Sequence, residues 1–206
     1  MFFDEINNFF LTNINLLKFI KMKVLKVILG VILVLVIILV IAYAFFGGFK
    51  KVECSVIKTG GEVFVYEELK GDYSQSAVVM DKIYYDLLDN YKMETFKGCG
   101  IYYNNPQTTD VADLRSDVGC LLETKDSNKV EVLETKYKIK TLPQGDYVVV
   151  SFPFKGKMSV ILGIMKVYPA INKYVKENGY SEQGPITEIY DMPNKMIIYR
   201  KEIVKE

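Results

Sequence analysis

Val27 to Phe49 is a run of 23 residues without a charged side chain, most of them Val, Ile and Leu. A helix rises about 1.5 Å per residue, so the run reaches across a hydrocarbon core about 30 Å thick. An amphipathic helix of a soluble protein keeps one polar face, and this segment has none. Its β-branched residues favour strands in water, but in lipid the backbone must close its own hydrogen bonds, which selects a helix. Residues 27–49 are therefore expected to form a transmembrane helix behind a short tail over 1–26. The alternative is a signal peptide that begins at Met22 and is cleaved after Ala42-Tyr43-Ala44. The run exceeds the usual apolar core of about 7–15 residues, which favours a retained, single-pass membrane anchor. Lys18, Lys21, Lys23 and Lys26 flank one end, and Lys50, Lys51 and Lys58 the other. That balance is too even for the positive-inside rule to assign a side.

Beyond the anchor the material changes. The 206 residues hold 26 Lys+Arg and 25 Asp+Glu, and 1–49 contain four of the bases and two of the acids. Residues 50–206 thus carry 22 basic and 23 acidic side chains, close to neutral. With Arg115 and Arg200 as the two arginines, the body lacks the basic footprint of a nucleic-acid binder, and no nucleic-acid partner is expected. The absence of histidine excludes Ser–His and Cys–His pairs and imidazole-ligated zinc. Cys54, Cys99 and Cys120 are odd in number and have no C-x-x-C spacing; one disulfide is open to them, but they read first as small apolar strand residues. Neither a metal nor a cofactor is expected. Any catalysis would rest on carboxylates, tyrosines, lysines or an unassisted thiol.

Val52–Ile57 and Glu62–Leu69 read as strands around a Thr-Gly-Gly turn. Tyr73, Ala77, Met80, Tyr84, Leu87 and Tyr91 recur at helical steps, and Gly98–Tyr103 and Asp117–Glu123 read as strands. The order then repeats. Lys136–Thr141 alternates, Asp146–Phe154 forms a strand, and Met158, Ile161, Leu162, Met165, Tyr168, Ile171 and Val175 mark a second helix. Pro185–Tyr190 and Met196–Val204 close the chain. Gly71-Asp72-Tyr73-Ser74 aligns with Gly156-Lys157-Met158-Ser159, and Ile101-Tyr102 with Ile189-Tyr190, at offsets of 85 and 88. The expected fold is α+β: two tandem strand-helix-strand-strand repeats, about 50–125 and 130–206, in one antiparallel sheet with both helices on one face. The opposite face is left free to form a groove.

The glycine-tyrosine step at Gly71-x-Tyr73, GCGIYYNNP at 98–106 and GPITEIYDMP at 184–193 resemble the GyrI-like small-molecule-binding domain. That is also the effector-binding domain of AraC-type and multidrug-sensing regulators, and the resemblance covers roughly 50–206. A membrane helix followed directly by such a domain also resembles the testis-expressed ER-phagy receptors of animals, most closely around GIYYNNP and Val118-Gly119. Those receptors carry an acidic tail with an autophagy-binding motif, whereas this sequence stops at Glu206, so the fold and the capacity for a pocket are what the resemblance is expected to transfer. It implies a ligand groove between the halves, lined by aromatics with an acid among them. Glu188 is the leading acid, Tyr102 and Tyr190 are repeat-equivalent walls, and Tyr66 and Phe152 complete the ligand-binding set; Tyr103 and Phe154 are weaker candidates. Gly98 and Gly100 allow close backbone approach. A carboxylate in an apolar groove needs a partner, and an organic cation would supply one. The leading expectation is a membrane-anchored module for a small amphipathic or cationic ligand. A membrane-tethered protein-interaction module is the alternative, and a hydrolase with Glu188 as general base is less expected. An enclosed Glu188 favours the ligand reading or the hydrolase; a site filled by its own tyrosines favours the interaction module.

Overall fold

The computed structural model describes residues 2–106, 108–126 and 130–204, with side chains from residue 18 onward. The chain divides into two compact units, Met1–Phe45 and Phe46–Glu206. The first is one helix, α1 (Phe2–Phe45). Lys18–Phe45 is long and apolar enough to cross a membrane, a test that a signal sequence near an N-terminus also passes. The helix starts well before Val27, since no Gly or Pro interrupts the Asn- and Phe-rich stretch ahead of it. It ends short of Phe49 because Gly47 adopts φ +92°, a left-handed conformation suited to glycine. A Cβ at Gly47 would lie 2.7 Å from Pro153 Cγ and 3.0 Å from Phe152 Cζ, so this glycine belongs to the packing of the second unit.

That unit runs β1 (Ser55–Thr59), β2 (Val63–Lys70), α2 (Ser76–Tyr91), β3 (Lys97–Tyr102), β4 (Arg115–Leu121) and a short α3 (Val130–Leu133). It continues with β5 (Lys138–Thr141), β6 (Gly145–Pro153), α4 (Lys157–Glu177), β7 (Ile186–Asp191) and β8 (Met196–Glu202). The eight strands form one antiparallel sheet in the order β1-β6-β8-β7-β3-β4-β2-β5. Two strands precede each long helix rather than one, and the first of each pair crosses to the other half: β1 pairs with β6, and β5 with β2. Exchanging the halves reproduces the strand order reversed. The repeat is therefore a pseudo-twofold whose axis passes between β3 and β7.

The connections force the sheet to curl. β1 is one edge and β2 is next to the other, yet only residues 60–62 join them; residues 142–144 join β5 to β6 in the same way. The two crossings bond each other, Gly61 N donating to Leu142 O at 2.8 Å and Leu142 N to Glu62 O at 2.9 Å. Inside the curl pack Phe64, Cys99, Ile101, Leu121, Leu142 and Ile189. Val65, Cys120, Gly98, Tyr190, Ile197 and Phe152 form a row across the other face. Val65 and Cys120 join the core under α2, Ile197 and Phe152 the core under α4, so both helices lie on that face.

The helical spacing located both helices but only part of their inward faces. α4 buries Ser159, Gly163, Val167, Ile171 and Val175, leaving Met158, Ile161 and Met165 exposed. In α2 it is Ser76, Ile83 and Leu87 that are buried.

Candidate functional site

Glu188 stands directly opposite Gly100 in the β3–β7 ladder, and the repeat makes these two residues counterparts of each other. The pseudo-twofold axis therefore runs through this pair, with a carboxylate on one side and bare backbone on the other. Repeat-equivalent Tyr102 and Tyr190 flank it on the same face. A Cβ at Gly100 would come within 2.7 Å of the Tyr102 Oη, so the missing side chain is what lets that ring fold back over β3.

Glu188 is 1% exposed. Tyr168, from α4, donates to its Oε1 at 2.9 Å, and Tyr190 donates to its Oε2 at 2.5 Å. Tyr168 and Tyr190 are half-buried. Tyr199 stands beside Glu188 on β8, its ring edge-on to Tyr168 with centroids 6.1 Å apart. Its hydroxyl is buried without a partner and lies 2.0 Å from where a Cβ of Gly163 would be. Tyr73 meets Tyr102 edge-on at 4.8 Å, and Phe154 meets Tyr190 at 5.6 Å. The result is a carboxylate ringed by aromatic side chains from both halves and from α4.

Burial pushes the Glu188 carboxyl upward, while the bonds from Tyr190 and Tyr168 pull the other way. The phenols of Tyr102, Tyr168, Tyr190 and Tyr199 are all raised, by burial first and by the Glu188 charge second. All four stay protonated, and Tyr168 and Tyr190 are the two that donate to the carboxylate. Among the described residues no Lys or Arg pairs with Glu188, so phenolic hydroxyls alone hold its charge. Such a site can accept a proton or a cation at its centre and offers flat faces around it.

The structure thus gathers Glu188, Tyr102 and Tyr190. It does not bring Tyr66 there: that ring lies inside the curl, stacked on Phe64 at 5.1 Å with Lys140 Nζ 4.4 Å from its centroid. Phe152 shares the helix-bearing face but is fully buried in the α4 core. Tyr103 lies on the inner side, donating to Asp117 Oδ2 at 2.7 Å. The expectation that these residues line a groove on the face away from the helices is corrected, because Glu188, Tyr102 and Tyr190 sit on the helix-bearing face. The inner face has a separate cavity of about 270 Å3, bordered by Ile101, Lys140, Leu142, Tyr147, Thr187 and Arg200, and none of the five expected ligand-binding residues lines it. Tyr168 and Tyr199 were missed. Strand alternation from Ile197 was the available signal for Tyr199; Tyr168 had none, because its place on the helical stripe reads as ordinary packing.

All three cysteines are free. Burial raises the Cys99 thiol and pushes Cys120 up to about 11, which suits packing rather than nucleophilic attack. Among the described residues no cluster of three Cys, Asp or Glu side chains could hold a metal ion.

Two strand-rich halves related by a pseudo-twofold, with both helices on one face, form the framework of the domain. Residues 58–197 match the GyrI-like small molecule binding domain, and the chain belongs to that family. Among solved structures it is similar to the C-terminal domain of EcmrR, with a TM-score of 0.50 at 12% identity, covering 76% of this chain and 98% of that one. It is also similar to SAV2435 bound to tetraphenylphosphonium, with a TM-score of 0.51 at 13% identity, covering 74% and 94%. Identities this low show a shared fold. Testis-expressed protein 264 homolog of Mus musculus is 31% identical over 100 residues, which is 46% of this chain and 32% of the mouse protein, about a third of its length.

Proposed function

We propose that the domain binds a lipophilic organic cation between α2 and α4, with Glu188 as counter-charge and the tyrosines as walls, and that α1 anchors it to a membrane. The observation that carries this reading is the Glu188 environment: a fully buried carboxylate, surrounded by aromatic rings, with no basic side chain paired to it among the described residues. Burying such a charge is costly, and a cation would offset the cost more fully than two phenols do. The tetraphenylphosphonium held by SAV2435, a protein of the same fold, supports a ligand of this class. Binding would require Tyr168 and Tyr190 to release the carboxylate, so the tyrosine-closed form is the resting state.

The test is calorimetric titration of the full chain in detergent with tetraphenylphosphonium and with neutral triphenylphosphine oxide. The expected result is preference for the cation, weakened at least tenfold by Glu188→Gln, a loss of about 1.4 kcal/mol. Affinity should rise with pH up to the raised value of Glu188 and then level off, since the cation selects the ionised form. Equal binding of the neutral compound, or an unchanged Glu188→Gln, would refute it. The site's being filled by its own tyrosines favours a second reading, a module that presents this closed surface to a protein partner. Absence of any cation binding would favour that one.

A further inference from the structure

The two long helices are repeat equivalents, yet their outer surfaces differ in kind. α2 exposes Asp81 and Asp89 against Lys82, its Asp86 being paired with Lys136 at 2.5 Å. α4 and the segments beside it, 46–53 and 154–177, hold six lysines (Lys50, Lys51, Lys155, Lys157, Lys173, Lys176) against Glu53 and Glu177, besides Lys166, whose ammonium is turned onto backbone carbonyls. The N-terminal half of α4 also turns a stripe of Met158, Ile161 and Met165 outward, 48%, 49% and 61% exposed, and Phe49 is 68% exposed. An apolar stripe bordered by lysines is the pattern of a helix lying in a lipid interface. The third observation concerns position. Residues 46–50 follow α1 directly in the chain and are bonded to this same stretch of α4: Ser159 Oγ donates to Phe46 O at 3.4 Å, and Lys166 Nζ donates to Gly48 O and, at 2.7 Å, to Lys50 O. The helix whose surface fits a bilayer is the one tied to the chain's exit from its apolar segment.

We infer that the N-terminal half of α4 is a membrane-docking surface, its Met158–Ile161–Met165 stripe entering the interface of a bilayer rich in anionic lipid while the flanking lysines meet the headgroups. This rests on the reading of α1 as an anchor. Docking orients the domain by a second, reversible contact besides the covalent one, with α4 toward the lipid and the acidic surface of α2 away from it.

The chain contains no tryptophan, so single reporters can be introduced into an empty background. Full-length Met165→Trp, Val78→Trp on exposed α2 and Leu35→Trp in α1 are each reconstituted into vesicles of phosphatidylcholine and phosphatidylserine containing brominated phosphatidylcholine. The expected result is quenching and blue-shifted emission at Met165→Trp and Leu35→Trp, and neither at Val78→Trp. Adding Lys157→Gln should lower the ratio of docked to undocked protein about fivefold, the usual worth of one lysine at an anionic surface. Quenching at Leu35→Trp without quenching at Met165→Trp overturns the docking surface and leaves the anchor standing. No quenching at either position overturns both. Equal quenching at Met165→Trp in vesicles lacking phosphatidylserine overturns the anionic-lipid specificity.

Discussion

Gly163 sits in the middle of α4, where glycine costs a helix about 1 kcal/mol relative to alanine. On propensity alone, Gly163→Ala should stabilise. The structure reverses the sign, because the new Cβ would lie 2.0 Å from the Tyr199 Oη, 1.4 Å short of the 3.4 Å at which ordinary contact begins. Tyr199 is fully buried and cannot swing into solvent. Overpacking of this kind costs about 1–3 kcal/mol, and an approach of 2.0 Å belongs in the upper half of that range, so the net effect should be a loss of about 1–2 kcal/mol after the propensity gain. Tyr199→Phe alone should be close to neutral, since the hydroxyl it removes has no hydrogen-bond partner. With that hydroxyl gone, the nearest ring atom is 3.0 Å from the Cβ that Gly163→Ala introduces, a contact that a shift of tenths of an ångström relieves. Most of the alanine's cost should then vanish in the double variant. Urea unfolding of the four proteins of this cycle, followed by tyrosine fluorescence, measures the coupling, expected at about 1–2 kcal/mol. A stabilised Gly163→Ala, or a cycle without coupling, would refute the claim that α4 is seated on Tyr199 through this glycine.

Three further outcomes follow from the same geometry. Glu188 is raised in the folded state above its ordinary 4.5, so between those values the folded protein holds a proton that the unfolded chain has lost. Stability should therefore fall as pH rises through that window, by up to about 1.4 kcal/mol per pH unit; the difference between wild type and Glu188→Gln in urea titrations isolates this slope from the other carboxylates. Iodoacetamide at neutral pH followed by mass spectrometry should modify half-buried Cys54 first, with buried Cys99 and Cys120 reacting only on unfolding. Arg200, 11% exposed, bridges Glu62, 28% exposed, at 2.8 Å, so Arg200→Leu should cost about 1–2 kcal/mol in denaturant unfolding by leaving that carboxylate half-solvated and unpaired, and Arg200→Leu with Glu62→Leu should recover most of it.

The order of strands and helices was legible because turn residues and periodicity are local: Asn178-Gly179 sits at the end of α4, and Asn104-Asn105-Pro106 follows β3. The repeat offset also carried more than it first showed. An antiparallel pairing of equivalent strands must bring one position face to face with its own counterpart, and Gly100 with Glu188 is that position. Crossing of β1 and β5 to the opposite half was not legible, since it depends on which edges the curl brings together. Tyr66 and Tyr102 look alike in sequence, both in short alternating strands, and only the register assigns them to opposite faces. The helical stripes misled for a similar reason: Met158, Ile161 and Met165 keep the spacing of a core while facing outward.

The exchange of first strands between the halves has a consequence during synthesis. The described neighbour of β1 is β6, and Ser55 meets Val149, 94 residues later in the chain. At about 5–20 residues per second the ribosome needs about 5–20 s to deliver that partner. Through that interval Val56 and Ile57 must wait unpaired, and β6 itself is incomplete until β8 arrives. The N-terminal half cannot finish folding as it emerges, so the domain closes only once β8 has been delivered between β6 and β7.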